Sequence, residues 1–183
     1  VFRRFGIDIS RYNFNENFDF RLNHFLKLNN IECILDIGAN VGFTTTYFSK
    51  ISSNVIAFEP DNKNFESLNS QIKIRNLKNV EAHNLAVSNV SGPVEFYYRN
   101  SNDLHSLGVH NKGKIIQTSH IAAISLDDFW GSSPQQIGLI KIDVEGWELE
   151  VLQGFGTYLT PDDAPRILFE HSPYRFITRG LAK

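Results

Sequence analysis

Between residues 31 and 171, short apolar segments alternate with segments of helical periodicity, and that rhythm leaves very few architectures open. The segments 32–37, 54–59, 80–87, 137–143 and 166–170 have the length and β-branched content of buried strands. The segments 42–51, 62–77 and 146–153 read as helices, the second with Phe65, Leu68 and Ile72 on one side. Strand, helix, strand in repetition predicts a mostly parallel sheet covered on both faces, a doubly wound α/β domain.

The rhythm breaks over 88–136. There, Gly92-Pro93 followed by VEFYY predicts a strand entered from a turn, and the polar stretch 100–119, with His105 and His110, reads as a substrate loop or lid or as a surface excursion. Before the first strand, Phe18, Leu22, Phe25 and Leu26 recur at helical spacing ahead of Asn29-Asn30, so 1–30 is read as a helical lead-in. No repeat or linker divides the chain, and the expectation is a single domain over 1–183, with a ligand-binding core over 31–171.

Charge and hydropathy exclude several functions. With 18 basic against 20 acidic side chains the net charge is −2, which offers no global field for nucleic acid or an anionic membrane. The longest uninterrupted apolar runs, VIAF and IAAI, are far shorter than the roughly 20 residues of a membrane span, and the opening segment does not read as a signal peptide. Cys33 alone forms no internal disulfide, which fits a reducing, cytoplasmic setting. The chain begins at Val1, so the expectation is that a longer product was trimmed.

The strongest local signal is Leu35-Asp36-Ile37-Gly38-Ala39-Asn40-Val41-Gly42, where a strand gives way to a helix. Gly38 and Gly42 permit a tight turn and are expected to bring backbone amides close to a ligand. The spacing lacks the third glycine of a dinucleotide fingerprint and the Lys-Ser/Thr pair of a P-loop, which disfavours NAD and ATP. One unit on, Glu59 ends the strand of the AFEPD segment, where a carboxylate can accept from both hydroxyls of a ribose. Glycine turn and strand-end Glu together predict a nucleoside-bearing ligand.

Five segments carry a family resemblance: DIGANVGFTT, AFEPD, NLAVS, SLDDF, and LIKIDVEGWELEVLQG followed by ILFEH. They resemble the FkbM-type S-adenosylmethionine-dependent O-methyltransferases from about Cys33 to His171. The resemblance implies a Rossmann-like class I methyltransferase fold, S-adenosyl-L-methionine as donor and S-adenosyl-L-homocysteine as product. It implies that Asp36, Gly38, Ala39, Asn40 and Gly42 hold the methionine end, that Glu59 takes the ribose, and that Asn84 to Ala86 border the adenine. Asp143 would face the cofactor or the acceptor.

Methyl transfer to an alcohol needs aligned approach and a group that takes the hydroxyl proton. The candidates are Asp143, Glu145 and His171, with His171 or Glu145 preferred as base and Asp143 as orienting group. Glu145 could instead serve the dipole of the helix that follows, and His171 could be a plain loop residue. The three could gather a divalent ion, which is not the favoured reading. Trp130, Trp147 and Cys33 read as packing residues, and Lys141, odd in a central strand, is expected to reach a carboxylate or the surface with its amine. The acceptor is expected to be a small-molecule or glycan hydroxyl. The alternatives are a catalytically silent binding or scaffolding module and, less favoured, an NAD-linked dehydrogenase. Twelve residues after His171 are too few for the final hairpin usual in such sheets, so a second copy or a tail is expected to cover the last strand.

Overall fold

The computed structural model describes residues 31–100, 106–107, 114–131, 136–156 and 164–169. In chain order these form β1 (Ile31–Ile37), α1 (Phe43–Phe48), β2 (Ser52–Phe58), α2 (Asn62–Ile74), β3 (Val80–His83), β4 (Ala86–Val87), β5 (Gly92–Arg99), β6 (Ile115–Ile124), α3 (Leu126–Trp130), β7 (Leu139–Ile142), α4 (Glu148–Gln153) and β8 (Arg166–Phe169). Five strands make one parallel sheet in the order β3-β2-β1-β7-β8, and β4, β6 and β5 make a second, three-stranded sheet.

Burial on both faces explains the near-continuous apolar runs of β1, β2 and β7. Ile34, Val55 and Leu139 pack against Tyr47 and Phe48 of α1, while Ala57 on the same face meets Leu68 of α2. The alternate residues Leu35, Ile56 and Ile140 pack with Leu126 of α3, Val151 of α4 and Phe155 just after it. Each large apolar side chain buried in this way contributes roughly 1.5–3 kcal/mol. The doubly wound fold read from the sequence is therefore the one observed.

Element ends shift by a few residues, and two differences from the sequence reading change which strands pair. The segment 80–87 is two strands: β3 pairs with β2 as far as His83, whereas Ala86–Val87 pair with Ala123–Ile124 in the second sheet. Between them the Asn84 side chain donates to the carbonyls of Glu59 and Pro60, turning the chain off the first sheet. Periodicity reports that a residue is extended but not which neighbour it pairs with. The second difference is β6, which begins at Ile115 inside the supposed polar loop and runs antiparallel to β5. Its first half is exposed, so it lacks the apolar alternation that marks a half-buried strand. His105, His110, the 1–30 lead-in and the segment after β8 lie outside the described residues.

Both tryptophans pack. Trp130 stands edge-on to Phe129, 5.3 Å between centroids, and Trp147 donates from Nε1 to Ser88 Oγ at 3.0 Å while packing on the second sheet's core of Ala86, Phe96 and Ala123. Cys33 lies in β1 at 1% exposure, and burial, aided by Glu32, pushes its thiol up to about 11. Native protein at pH 8 is therefore expected to resist iodoacetamide, and to label at once when unfolded in guanidinium. Fast labelling of the native protein would contradict this placement. Among the described residues, no helix is long and apolar enough to cross a membrane.

Candidate active site

The chain leaves β1 for β2 and β3 on one side, then returns to β7 on the other. This reversal opens a crevice at the carboxyl ends of β1 and β7, where doubly wound sheets bind ligands. Asp36, Glu59, Asn84 and Asp143 all stand at or just beyond such ends.

The turn after β1 has positive φ at Gly38 (+75°), Asn40 (+52°) and Gly42 (+94°). A Cβ on Gly38 would lie 2.0 Å from the carbonyl oxygen of Asp143, and one on Gly42 would lie 2.8 Å from Leu68 Cδ1. Glycine thus lets the turn close against the end of β7 and against α2. The turn's amides, expected to face a ligand, are all taken by the protein. Gly38 and Ala39 donate to the Phe58 carbonyl, Asn40 to Glu59 Oε2 at 2.7 Å, Val41 to Asn40 Oδ1, and Gly42 to the Ala39 carbonyl.

Asp36 is fully buried beneath this turn. Its Oδ2 accepts from the hydroxyls of Thr44 (2.9 Å) and Thr45 (2.6 Å), and its Oδ1 lies 3.2 Å from Lys141 Nζ. Lys141, opposite Asp36 in the β1–β7 register, also donates to the Gly38 carbonyl at 2.6 Å and lies 3.7 Å from Asp143 Oδ2. Burial opposes the ammonium, but Asp36 and Asp143 outweigh it and hold its pKa above the ordinary value. Asp36 therefore braces the turn. Lys141 reaches a carboxylate, one of the two outcomes the sequence left open.

Glu59 is 5% exposed, its Oε2 on the Asn40 amide and its Oε1 on the Asp61 amide at 2.9 Å. Burial pushes its carboxyl up to about 7 from an ordinary 4.5, against the lowering effect of those two amides. Each oxygen accepts one bond from these amides and retains capacity for another. Between pH 4.5 and 7 the native state holds the proton that the unfolded chain has released, so protonation stabilises the fold at low pH and that stability is lost as pH rises to about 7. The contribution is up to about 3 kcal/mol. Urea denaturation from pH 5 to 7.5 should show this fall, and Glu59→Gln should flatten it; an unchanged slope in the variant would contradict the assignment.

Beyond β7, Asp143 is partly exposed and its amide donates to the Ile37 carbonyl. Glu145 (φ +56°) and Gly146 (φ +97°) then take successive left-handed conformations before α4. For Glu145 that conformation is strained, a feature concentrated at functional turns. Glu148 is buried at the start of α4 and accepts from the Gly146 amide at 3.0 Å; burial raises its pKa against that bond.

The crevice thus gathers Gly38 to Gly42, Glu59, Asn84 and Asp143, with Glu145 on the adjoining turn. Ala86 is not among them: at 2% exposure it sits in the core of the second sheet with Phe96 and Ala123. His171 lies outside the described residues. Sequence reasoning missed Thr44, Thr45 and Glu148. The Thr pair, in the first turn of α1 just after the glycine turn, was the available signal.

A model of the methyltransferase FkbM domain matches residues 36–178. The chain belongs to the FkbM methyltransferase family. It is similar to Methyltransferase 1 of Beauveria bassiana (strain ARSEF 2860), 30% identical over 142 residues, and to methyltransferase sdnD of Sordaria araneosa, 25% identical over 153 residues. Each alignment covers 66% of this chain, and 57% and 59% of those proteins, so the chain spans somewhat over half their length. The crystal structure of methyltransferase FkbM from Methylobacillus flagellatus KT shares the fold, with TM-score 0.58 at 18% identity over 86% of this chain and 38% of that one.

Proposed function

We propose that the chain is an S-adenosylmethionine-dependent methyltransferase acting on a hydroxyl of a sugar, glycan or secondary metabolite. The observation that carries this reading is the polarity of the crevice. The five amides of residues 38–42 are bonded within the protein, so the turn offers no nest for a phosphate, and the residues that follow β2 and β7 at the same end of the sheet include the carboxylates Glu59, Asp143 and Glu145. Such a site suits a ligand that donates hydrogen bonds and carries positive charge. A sulfonium nucleoside fits; a pyrophosphate dinucleotide does not.

In this reading the residues divide the labour by position. Glu59 accepts from the ribose hydroxyls with its remaining lone pairs, Asn84 borders the base, and the Gly38 to Gly42 turn holds the methionine end. When bound, the donor supplies an electrophilic methyl group. Asp143 orients the acceptor, and Glu145 or His171 takes its hydroxyl proton as the new bond forms. Holding acceptor and donor in line is worth about 7–11 kcal/mol of the barrier. The excess of carboxylates over the buried ammonium of Lys141 among the described residues of the site disfavours phosphorylated or carboxylated acceptors and favours neutral ones. Among the described residues no three His, Cys, Asp or Glu side chains gather to hold a metal ion, and no step is assigned to one.

The test is transfer of a labelled methyl group to a panel of neutral glycans and small alcohols, with phosphorylated sugars alongside. Labelled neutral product supports the reading. Binding of S-adenosylhomocysteine without transfer to any panel member would favour the silent binding module instead.

A further inference from the structure

We infer that Lys141 is a positioning residue that ties the donor-side turn of residues 38–42 to the acceptor-side turn of residues 143–146, so that the two halves of the crevice keep one register. The names donor side and acceptor side rest on the proposed function; the tie itself rests on geometry. Lys141 sits in the interior strand β7 among Leu139, Ile140 and Ile142, at 2% exposure, where an apolar residue would pack without the cost of burying a charge. Its ammonium meets both turns at once: the Gly38 carbonyl at 2.6 Å on one side and Asp143 Oδ2 at 3.7 Å on the other, with Asp36 Oδ1 between them at 3.2 Å. Asp36 cannot swing away, because its other oxygen is held by Thr44 and Thr45 of α1.

The backbones of the two turns are also in contact. The Asp143 amide donates to the Ile37 carbonyl, and the Asp143 carbonyl lies where a Gly38 side chain would stand. A continuous polar chain thus runs from α1 through Asp36 and Lys141 to Asp143, crossing the point where β1 and β7 diverge. The partnered ammonium stays charged through the neutral range, so Lys141 serves as a fixed tie and not as a proton carrier. Reacting atoms must be held within a few tenths of an ångström, so the separation of the two turns is the quantity such a tie controls.

Lys141→Met alone would strand the buried Asp36 carboxylate and threaten folding. The informative protein is the double variant Lys141→Met with Asp36→Asn, which removes both charges. Backbone amide hydrogen exchange is measured without ligand on the parent and the double variant, and each is titrated with S-adenosylhomocysteine. The expected result is exchange at least tenfold faster at 38–42 and at 143–146 together, unchanged exchange in β2 and α2, and affinity lower by about fivefold or more. Parent-like exchange at either turn would overturn the inference, as would faster exchange spread through the whole sheet, which marks a merely structural part. Failure of the parent to bind S-adenosylhomocysteine would sink the donor reading alone, since the exchange comparison needs no ligand.

Discussion

Gly38→Ala is expected to lower the stability of the domain by about 3 kcal/mol or more and its melting temperature by roughly 6–12 °C. Two costs add. An L side chain at φ +75° is strained by roughly 1–2 kcal/mol, and its Cβ would lie 2.0 Å from the Asp143 carbonyl oxygen, a backbone atom that no rotamer change can move aside. Gly92→Ala is the control: φ is +127° there, but nothing lies within 4 Å of the added carbon, so only the conformational cost of about 1–3 kcal/mol should appear, without the clash. Equal melting temperatures for the two variants would mean that the glycine turn does not close against β7.

Glu145→Gln is expected to leave the melting temperature within a few degrees of the parent and to slow methyl transfer by about 10²- to 10⁴-fold, the usual contribution of a general base. Glu145→Gly separates chemistry from backbone. Glycine adopts φ +56° without strain, which roughly offsets the entropy it adds to the unfolded chain, so stability should change by less than about 1 kcal/mol while activity falls as far. Loss of rate without loss of stability is the signature of a residue kept for function. Parent-like rates in both variants would move the base to His171 or Asp143, and the same pair of substitutions at Asp143 would then be the next comparison.

The fold was legible because its signal is local. Runs such as VIAF, and LIKI despite its lysine, are buried on both faces and announce strands whatever their partners, and the Asp61 N-cap, whose carboxylate accepts from the Asn64 amide, marks the start of α2 within the same few residues. The positions of Gly38, Glu59 and Asp143 at strand ends followed from the alternation itself. What stayed hidden depends on contacts between distant segments. That Ala86 belongs to a second sheet is decided by β6, over thirty residues away, and the exposed first half of β6 carries no alternation to reveal it. The direction in which Asp36 points is likewise set by Thr44, Thr45 and Lys141. Sequence alone suggested a turn whose amides meet a ligand. Packing showed those amides bonded inside the protein, which leaves the carboxylates at the strand ends, Glu59 first, as the groups expected to meet the nucleoside.

Calorimetric titration at pH 8, where Glu59 is ionised, should show one S-adenosylhomocysteine bound per chain with micromolar affinity, no heat with NADH or ATP, and a loss of at least tenfold in affinity for Glu59→Ala. Binding of a phosphorylated nucleotide in its place, or an S-adenosylhomocysteine affinity untouched by Glu59→Ala, would contradict the account.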